Sequence, residues 1–259
     1  LALPTMPASD YPGVRDLGEM SALTLDAGQL HDIFTRTKLA MSTEETRYYL
    51  NGVCLDTTGG DTTFAATDGH RMTVYRSGLP TDGPKVIIPK LTVAVAHKAL
   101  AKRKGTVTLH WNAARVLIEL DGDVIDSKTL HGIFPDYERV IPKPANNVMT
   151  APTADVHEAI SRVTVVSTDK SRQVRIACGD AVDLSATSPE HGTASEQLDD
   201  ATYHGEPMKV DFNSDYLVSI LAVVADTKTR IELTDSATPC RVFDPACPEF
   251  VGVLMPMRK

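Results

Sequence analysis

Apolar residues recur at helical spacing in four segments of the chain, and shorter stretches between them alternate polar and apolar positions. Spacings of three and four residues place the apolar positions on one face, which predicts amphipathic helices packed against a core. The predicted helices span residues 29–40, 91–103, 154–163 and 214–225. In the first and third helices, the apolar faces comprise Leu30, Ile33, Phe34 and Ala40, and Val156, Ala159, Ile160 and Val163.

The alternating stretches predict short strands, because successive side chains of a strand point to opposite faces of a sheet. They form two hairpins, one pairing residues 107–109 with 116–120 and the other pairing residues 231–233 with 241–243. Helices interspersed with such strands predict an α+β fold, with sheet on one side and helices on the other.

The chain contains an internal repeat. Residues 30–36 align with 156–162, residues 64–68 with 184–188, and residues 106–109 with 230–233, at offsets of 126, 120 and 124. Three matches in the same order at nearly one offset predict two copies of one domain. We assign the copies to residues 23–143 and 149–259, joined by a linker rich in proline and asparagine.

The composition is that of a globular protein, because the 259 residues are 42% hydrophobic and 23% charged. No apolar run reaches the roughly 18 residues of a membrane span, so we expect no membrane partner. The four cysteines, Cys54, Cys178, Cys240 and Cys247, form no CxxC pair. That spacing fits neither a structural zinc site nor a disulfide scaffold, so we expect reduced thiols in a cytoplasmic protein without metal or cofactor.

The net charge of −8 disfavours a conventional basic nucleic-acid binder, unless the cations gather on one surface. Such a surface is offered by the predicted helices, whose polar faces and ends carry basic residues. A solvated face is the ordinary interpretation. The alternative is a positive helix layer that contacts phosphates without reading bases. The candidate DNA-facing residues are Arg36, Lys38, Lys98, Lys102, Arg103 and Arg162.

Five short motifs narrow the interpretation further. They are RYYLNG at 47–52, TDGHRM at 67–72, FPDYERVIP at 134–142, FNSDY at 212–216 and VLMPMR at 253–258. In combination, order and spacing, they closely resemble the bacterial DNA polymerase III beta subunit family, the sliding clamps. The resemblance implies repeated DNA-clamp domains, each with two helices packed on antiparallel sheet.

The domain count departs from the family. A family member has three such domains, whereas this sequence resembles the second and third. Residues 1–22 are expected to be a remnant of the first domain plus a linker, because Ser9–Pro12 echoes the motif at 134–137. A natural two-domain form remains an alternative to a fragment, although the start at Leu1 favours a fragment.

The motif at 67–72 also contains Asp68, His70 and Arg71, which suggest acid–base chemistry. No nucleophile elbow, zinc-protease motif or phosphate-binding loop accompanies them. Asp-Gly is moreover a common turn. We therefore expect a non-catalytic processivity subunit rather than an enzyme.

In the family, these motifs form a surface pocket between the second and third domains that binds short, extended peptides. Methionine and aliphatic walls suit leucine or phenylalanine anchors, and rim donors suit a bound backbone. For residues 253–257, a final core strand is the alternative interpretation. The resemblance implies a peptide-binding set of Arg47, Leu50, Thr67, Gly69, His70, Arg71, Met72, Pro135, Arg139, Val140, Asn213, Tyr216, Val253, Leu254, Met255, Pro256, Met257 and Arg258.

Two other segments bear on the pocket. Residues 29–34 (QLHDIF) themselves look like a clamp-binding peptide, but their apolar positions belong to the predicted helix face, so we interpret the likeness as coincidence. The loop with Ala237 and Pro239 borders the family pocket, where Pro239 cannot donate a backbone hydrogen bond.

The resemblance implies a clamp that encircles duplex DNA without sequence preference. It tethers the replicative polymerase alpha subunit, the clamp loader and other proteins with clamp-binding motifs. The alternative is a truncated clamp that binds peptides but cannot encircle DNA. A full-length family member forms a homodimeric ring, and we expect this chain alone to be monomeric.

Overall fold

The structure of the protein is a computed structural model that describes Pro7, residues 18–167 and residues 172–257. Most of the predicted remnant at residues 1–22 therefore lies outside the described residues.

All four predicted helices are present, and three of them, α1, α2 and α4, end earlier than predicted. Helix α1 is followed directly by a 3-10 turn at Lys38–Ala40, which accounts for the predicted end at residue 40. Helix α2 ends at Leu100 because Lys102 adopts a left-handed backbone with φ 67°. The helices are α1 (Ala27–Thr37), α2 (Lys90–Leu100), α3 (Thr153–Val163) and α4 (Ser214–Leu221).

Seventeen strands lie in the described residues, and both predicted hairpins are among them. In the N-terminal half they are β1 (Ser21–Asp26), β2 (Gly52–Asp56), β3 (Thr63–Thr67), β4 (Arg71–Arg76), β5 (Val86–Pro89), β6 (Thr106–Trp111), β7 (Arg115–Leu120) and β8 (Asp123–Lys128). In the C-terminal half they are β9 (Asn147–Pro152), β10 (Gln173–Cys178), β11 (Val182–Ser188), β12 (Gly192–Gln197), β13 (Thr202–His204), β14 (Met208–Asn213), β15 (Lys228–Leu233), β16 (Cys240–Asp244) and β17 (Cys247–Leu254).

The sheet topology repeats between the halves. One four-stranded sheet has the order β1-β6-β7-β8, and the C-terminal half contains the matching order β9-β15-β16-β17. Likewise, the order β4-β3-β2-β5 is matched by β12-β11-β10-β14. The internal repeat read from the sequence is therefore a repeat of topology, in an antiparallel α+β fold. The domain boundaries at 23–143 and 149–259 stay a prediction.

The two halves share one sheet. Strand β17 pairs antiparallel with β4, which joins β9-β15-β16-β17 of the C-terminal half to β4-β3-β2-β5 of the N-terminal half. With β13 at the edge beside β9, the joined sheet has nine strands. At this junction Val253 lies opposite Met72 and Leu254 lies opposite Arg71. The motifs VLMPMR and TDGHRM, far apart in the chain, are therefore adjacent.

The apolar helix faces are buried as predicted. Leu30, Ile33 and Phe34 are all fully buried in the main core. The likeness of residues 29–34 to a clamp-binding peptide therefore belongs to a core helix, as interpreted from the sequence. In the described part of the chain, no helix is long and apolar enough to cross a membrane.

Candidate peptide-binding site

A cavity of about 340 Å³ lies beside the β4–β17 junction. Its walls come from the turn before β4, from the segment between β8 and β9, and from the end of β17. The lining is mostly apolar, with arginine and histidine side chains among it. The lining residues are Arg47, Tyr49, Leu50, Thr67, Gly69, His70, Arg71, Met72, Pro135, Tyr137, Val140, Val253 and Met255.

The turn between β3 and β4 is fixed by its own side chains. The carboxylate of Asp68 accepts the backbone N–H groups of His70 and Arg71 at 2.9 and 3.0 Å. Thr67 Oγ1 accepts the N–H of Gly69 at 3.1 Å, and Gly69 has a φ of 90°. This arrangement is an aspartate turn followed by a residue that favours glycine. Asp68 therefore serves the turn, which presents His70 and Arg71 at the cavity.

Arg47 holds the outer side of this turn. Its guanidinium donates to both carboxylate oxygens of Glu44, at 2.8 and 2.6 Å, and to the carbonyl of Asp68 at 3.0 Å. A Cβ atom at Gly69 would lie 2.6 Å from Arg47 Nη1, so only glycine lets the arginine approach this closely. The pKa of Glu44 is lowered by the hydrogen bonds from Arg47.

Helix α4 contacts the same turn from the C-terminal half. The rings of His70 and Tyr216 stack with centroids 5.8 Å apart, and the guanidinium of Arg71 lies 4.7 Å from the Tyr216 centroid. Arg71 also donates to Ser219 Oγ and pairs with Asp68 at 3.1 Å. Burial raises the pKa of Tyr216, with the Asp68 charge adding to the effect. Through these contacts, α4 of the C-terminal half packs against His70 and Arg71, which line the cavity from the N-terminal half.

Eleven of the residues implied by the resemblance line this cavity. Tyr49 and Tyr137 line it as well and are not in the predicted set. Both were missed by the sequence analysis, although they belong to the quoted motifs RYYLNG and FPDYERVIP, and membership of these motifs could have identified them.

Several predicted residues lie elsewhere. Leu254 is fully buried in the main core, because consecutive residues of a strand face opposite sides and its neighbour Val253 takes the cavity side. Its assignment as a pocket residue is therefore wrong. The Arg139 side chain is 86% exposed, is paired with Asp136 at 2.8 Å, and is not among the lining residues.

The other predicted residues Asn213, Tyr216, Pro256 and Met257 are not among the lining residues. Asn213 caps α4 through N–H groups of Asp215 and Tyr216, which orients Tyr216. Pro256 and Met257 line a second cavity of about 340 Å³, together with Ala237 of the loop named above. Arg258 lies outside the described residues.

The predicted DNA-facing cations differ in availability. Arg36 is 4% exposed, and its guanidinium pairs with Asp32 at 2.9 Å and with Asp244 at 2.8 Å. Its assignment as a phosphate contact is wrong, because the polar face of α1 at this position packs against the C-terminal half. Lys38 is half-buried and lies 3.2 Å from His97 Nε2.

The other four cations are more accessible. Arg103 pairs with Asp121 and Asp123, and Arg162 pairs with Glu158 and Glu196. Lys98 and Lys102 are exposed, and the described residues contain no ion pair to either lysine.

The cysteines are buried and unpaired. Burial raises the pKa of Cys54, Cys178 and Cys240 to about 12, so these thiols stay protonated at neutral pH. Among the described residues, no group of three histidine, cysteine, aspartate or glutamate side chains is arranged to hold a metal ion.

Comparison with known proteins gives consistent matches along the chain. Residues 24–136 match the family profile described as DNA polymerase III beta subunit, central domain, and residues 138–258 match the profile of its C-terminal domain. The beta sliding clamp of Caulobacter vibrioides (strain NA1000 / CB15N) is 35% identical over 264 residues, covering 99% of this chain and 71% of that protein. The beta sliding clamp of Escherichia coli K12 is 30% identical over 260 residues, with the same coverage.

Solved structures agree with these matches. A DnaN sliding clamp from Bartonella birtlesii, bound to griselimycin, aligns with a TM-score of 0.91 at 32% identity. The alignment covers 99% of this chain and 71% of that one. A DNA polymerase sliding clamp from Caulobacter crescentus aligns with a TM-score of 0.88 at 34% identity, covering 99% and 70%.

Proposed function

This chain belongs to the DNA polymerase III beta subunit family, of which it matches the central and C-terminal domains, and it is therefore a DNA sliding clamp chain. We propose that the cavity at the β4–β17 junction is its peptide-binding site. The site binds short, extended segments of partner proteins. These partners are the replicative polymerase alpha subunit, the clamp loader and other proteins with clamp-binding motifs.

One observation carries this proposal. Met72 and Val253, which lie opposite each other on two paired strands, form part of a concave apolar surface. Met255, which also lines it, is 36% exposed. Apolar anchors of a peptide gain free energy by entering such a surface, and methionine adapts to their shape. His70 and Arg47 at the same cavity supply polar groups that orient a bound backbone or amide.

The proposed DNA contact is weak and independent of sequence. The net charge of −8 opposes association with phosphates, so binding depends on local cations. Lys98 in the last turn of α2 and Lys102 just after the helix are exposed cations of the predicted helix layer. Lysine side chains at a helix surface contact phosphates without reading bases.

The proposed role is non-catalytic and cytoplasmic, and residues 23–143 and 149–259 act as two clamp domains. A complete ring tethers partners to duplex DNA. The chain spans 71% of the Caulobacter clamp, which is compatible with the alternative, a peptide-binding module that does not encircle DNA. In either role the peptide site is the same.

The direct test is binding of a fluorescent peptide containing Gln-Leu-x-Leu-Phe, measured by anisotropy against a scrambled peptide. Saturable binding at about micromolar Kd, about −8 kcal/mol, is expected for the motif alone. Equal binding of the scrambled peptide would overturn the peptide-site proposal. Retention on nicked circular DNA then separates the clamp from the module, because only a closed ring stays on a circle.

A further inference from the structure

The outer wall of the cavity is a segment without strands. Residues 129–146 connect β8 to β9 and contain only a 3-10 turn at Tyr137–Arg139. Pro135, Tyr137 and Val140 of this segment line the cavity. A wall of this kind keeps its shape only where side chains anchor it to the sheet behind it.

Tyr137 is the anchor. Its ring is 4% exposed and lies at the cavity, while its hydroxyl donates a hydrogen bond of 3.0 Å to Asp56 Oδ2 at the end of β2. The ring also packs against Phe134, with centroids 6.3 Å apart. The backbone carbonyl of Tyr137 accepts the N–H of Val140 at 3.0 Å, so the tyrosine position determines where Val140 lies.

A charged pair lies beneath this tyrosine. Asp56 is 5% exposed, and Lys85 Nζ donates to the same carboxylate oxygen at 2.8 Å. The ammonium also lies 4.9 Å from the Tyr137 ring centroid. The other carboxylate oxygen accepts the backbone N–H and hydroxyl of Thr58, at 3.0 and 2.7 Å.

These partners keep the buried carboxylate charged. Burial raises the pKa of Asp56, but the hydrogen bonds from Lys85, Thr58 and Tyr137 outweigh it, and the net pKa is lowered. A hydroxyl bonded to a charged carboxylate is held about twice as strongly as in a neutral pair. Asp56 therefore holds the Tyr137 hydroxyl at the end of β2.

We propose that Asp56 and Lys85 are positioning residues for the peptide-binding site: the charged pair, which is not part of the cavity lining, holds Tyr137 and with it the outer wall formed by Pro135 and Val140. This inference rests on the proposed peptide-binding function. It assigns two residues outside the five sequence motifs to partner binding.

The decisive variant is Tyr137→Phe, which removes one buried oxygen and leaves the ring at the cavity. With the Gln-Leu-x-Leu-Phe peptide as probe, it is expected to weaken binding about fivefold, the value of one hydrogen bond. Lys85→Met is expected to weaken binding similarly, and Lys85→Arg to restore most of it. In a double-mutant cycle, Asp56→Asn added to Tyr137→Phe should cost less than the sum of the single effects.

Hydrogen exchange separates positioning from general destabilisation. In Tyr137→Phe, amides of residues 129–146 should exchange faster, while those of β2 and β3 keep the parent rate. Arg76→Ala is the matched control, because Arg76 binds Glu138 in the same segment on the exposed side, at 3.0 Å. It should leave peptide affinity unchanged.

The outcomes are distinguishable. If the parent chain does not bind the peptide, the proposed function fails. If the parent binds and Tyr137→Phe binds equally well, only the positioning role is overturned. Faster exchange throughout the chain, with binding lost in proportion, would also overturn it, because Asp56 would then serve stability alone. Should Asp56→Asn fail to fold, Tyr137→Phe and Lys85→Met still decide the question.

Discussion

Arg36 of α1 donates a 2.8 Å hydrogen bond to the carboxylate of Asp244 on β16, across the boundary between the two halves of the chain. Their side chains are 5% and 0% exposed. Asp244 also accepts the backbone N–H groups of Ala225, Asp226 and Ala246. Arg36 additionally donates to the carbonyl of Val223 at 2.8 Å. One ion pair thus ties a helix of the first half to a strand and a loop of the second.

Arg36→Met is expected to lower the free energy of unfolding by about 3 kcal/mol, because it leaves Asp244 as an uncompensated buried charge. The measurement is the denaturant midpoint in urea. Arg162→Met is the control, because the Arg162 side chain is 55% exposed and solvent screens its ion pairs with Glu158 and Glu196. Equal effects of the two variants would show that the Asp244 pair adds nothing beyond a surface interaction.

The stability of the folded chain should fall in acid because the buried carboxylates of Asp244 and Asp56 become protonated. Burial raises the pKa of Asp244, but bonds from Ala225, Arg36 and Ala246 lower it overall, and the pKa of Asp56 is also lowered. A lowered carboxyl pKa stabilises the folded state fully above its unfolded value, about 3.9, and progressively less as pH falls through the folded value. Melting temperatures should therefore be flat from about pH 7 to 5 and decline below about pH 4. Constant melting temperatures down to about pH 3 would contradict this.

Met255→Ala should weaken binding of a Gln-Leu-x-Leu-Phe peptide about tenfold, about 1.4 kcal/mol, because it removes an adaptable wall of the cavity. Combining it with Arg139→Ala should weaken binding at least as much. The matched control is Leu91→Ala, which truncates a 75% exposed apolar side chain on α2. Anisotropy titrations of both variants decide the assignment, which is wrong if Met255→Ala binds like the parent.

Duplex DNA should bind weakly, without sequence preference and with strong salt dependence. Replacing Lys98 and Lys102 together by alanine should reduce the slope of log affinity against log salt by about 2, since each phosphate contact contributes about 0.9. Lys228→Ala, at an exposed position of β15, is the control. Preference for one DNA sequence that persists at high salt would exclude the clamp interpretation.

The isolated chain should be mainly monomeric in dilute solution. Within the described residues, β8 and β12 are edge strands of their sheets. In the internal repeat β8 corresponds to β17 and β12 to β4, and β17 and β4 pair with each other inside the chain. Each edge carries charged side chains, including Asp126 and Glu196, which discourage pairing with another copy. Light scattering gives the mass directly. A stable trimer would instead indicate a two-domain chain that closes a ring of its own.

The helices were predictable from the sequence because each one buries a face made of apolar residues only three or four positions apart. The prediction overextended α2 because Ala101 and Lys102 continue a helical composition, while the left-handed backbone at Lys102 is not visible in residue type. The buried state of Arg36 was missed for a different reason. Its partner Asp244 lies 208 residues away, and no local pattern distinguishes a buried cation from a solvated one.

The site was predictable to the extent that motifs define it. Tyr49 and Tyr137 stand within the motifs, whereas Asp56 and Lys85 stand outside them and become relevant only through the Tyr137 hydroxyl. The assignment of Leu254 failed because the motif names consecutive residues, while a strand presents alternate ones. The pairing of β4 with β17 could be identified only in the structure, because the alternation of polar and apolar residues predicts a strand but not the strand with which it pairs.

The pairing of Met72 with Val253 has a mechanical consequence. Both side chains line the cavity, and they belong to strands joined over five register pairs within one continuous sheet. Separating the two halves would break the backbone pairing of β4 with β17 over its whole length. The cavity therefore does not open by a hinge movement between the halves. We expect a bound peptide to be accommodated by rotation of single side chains such as Met255, and tension on that peptide to be transmitted to the backbone of both halves.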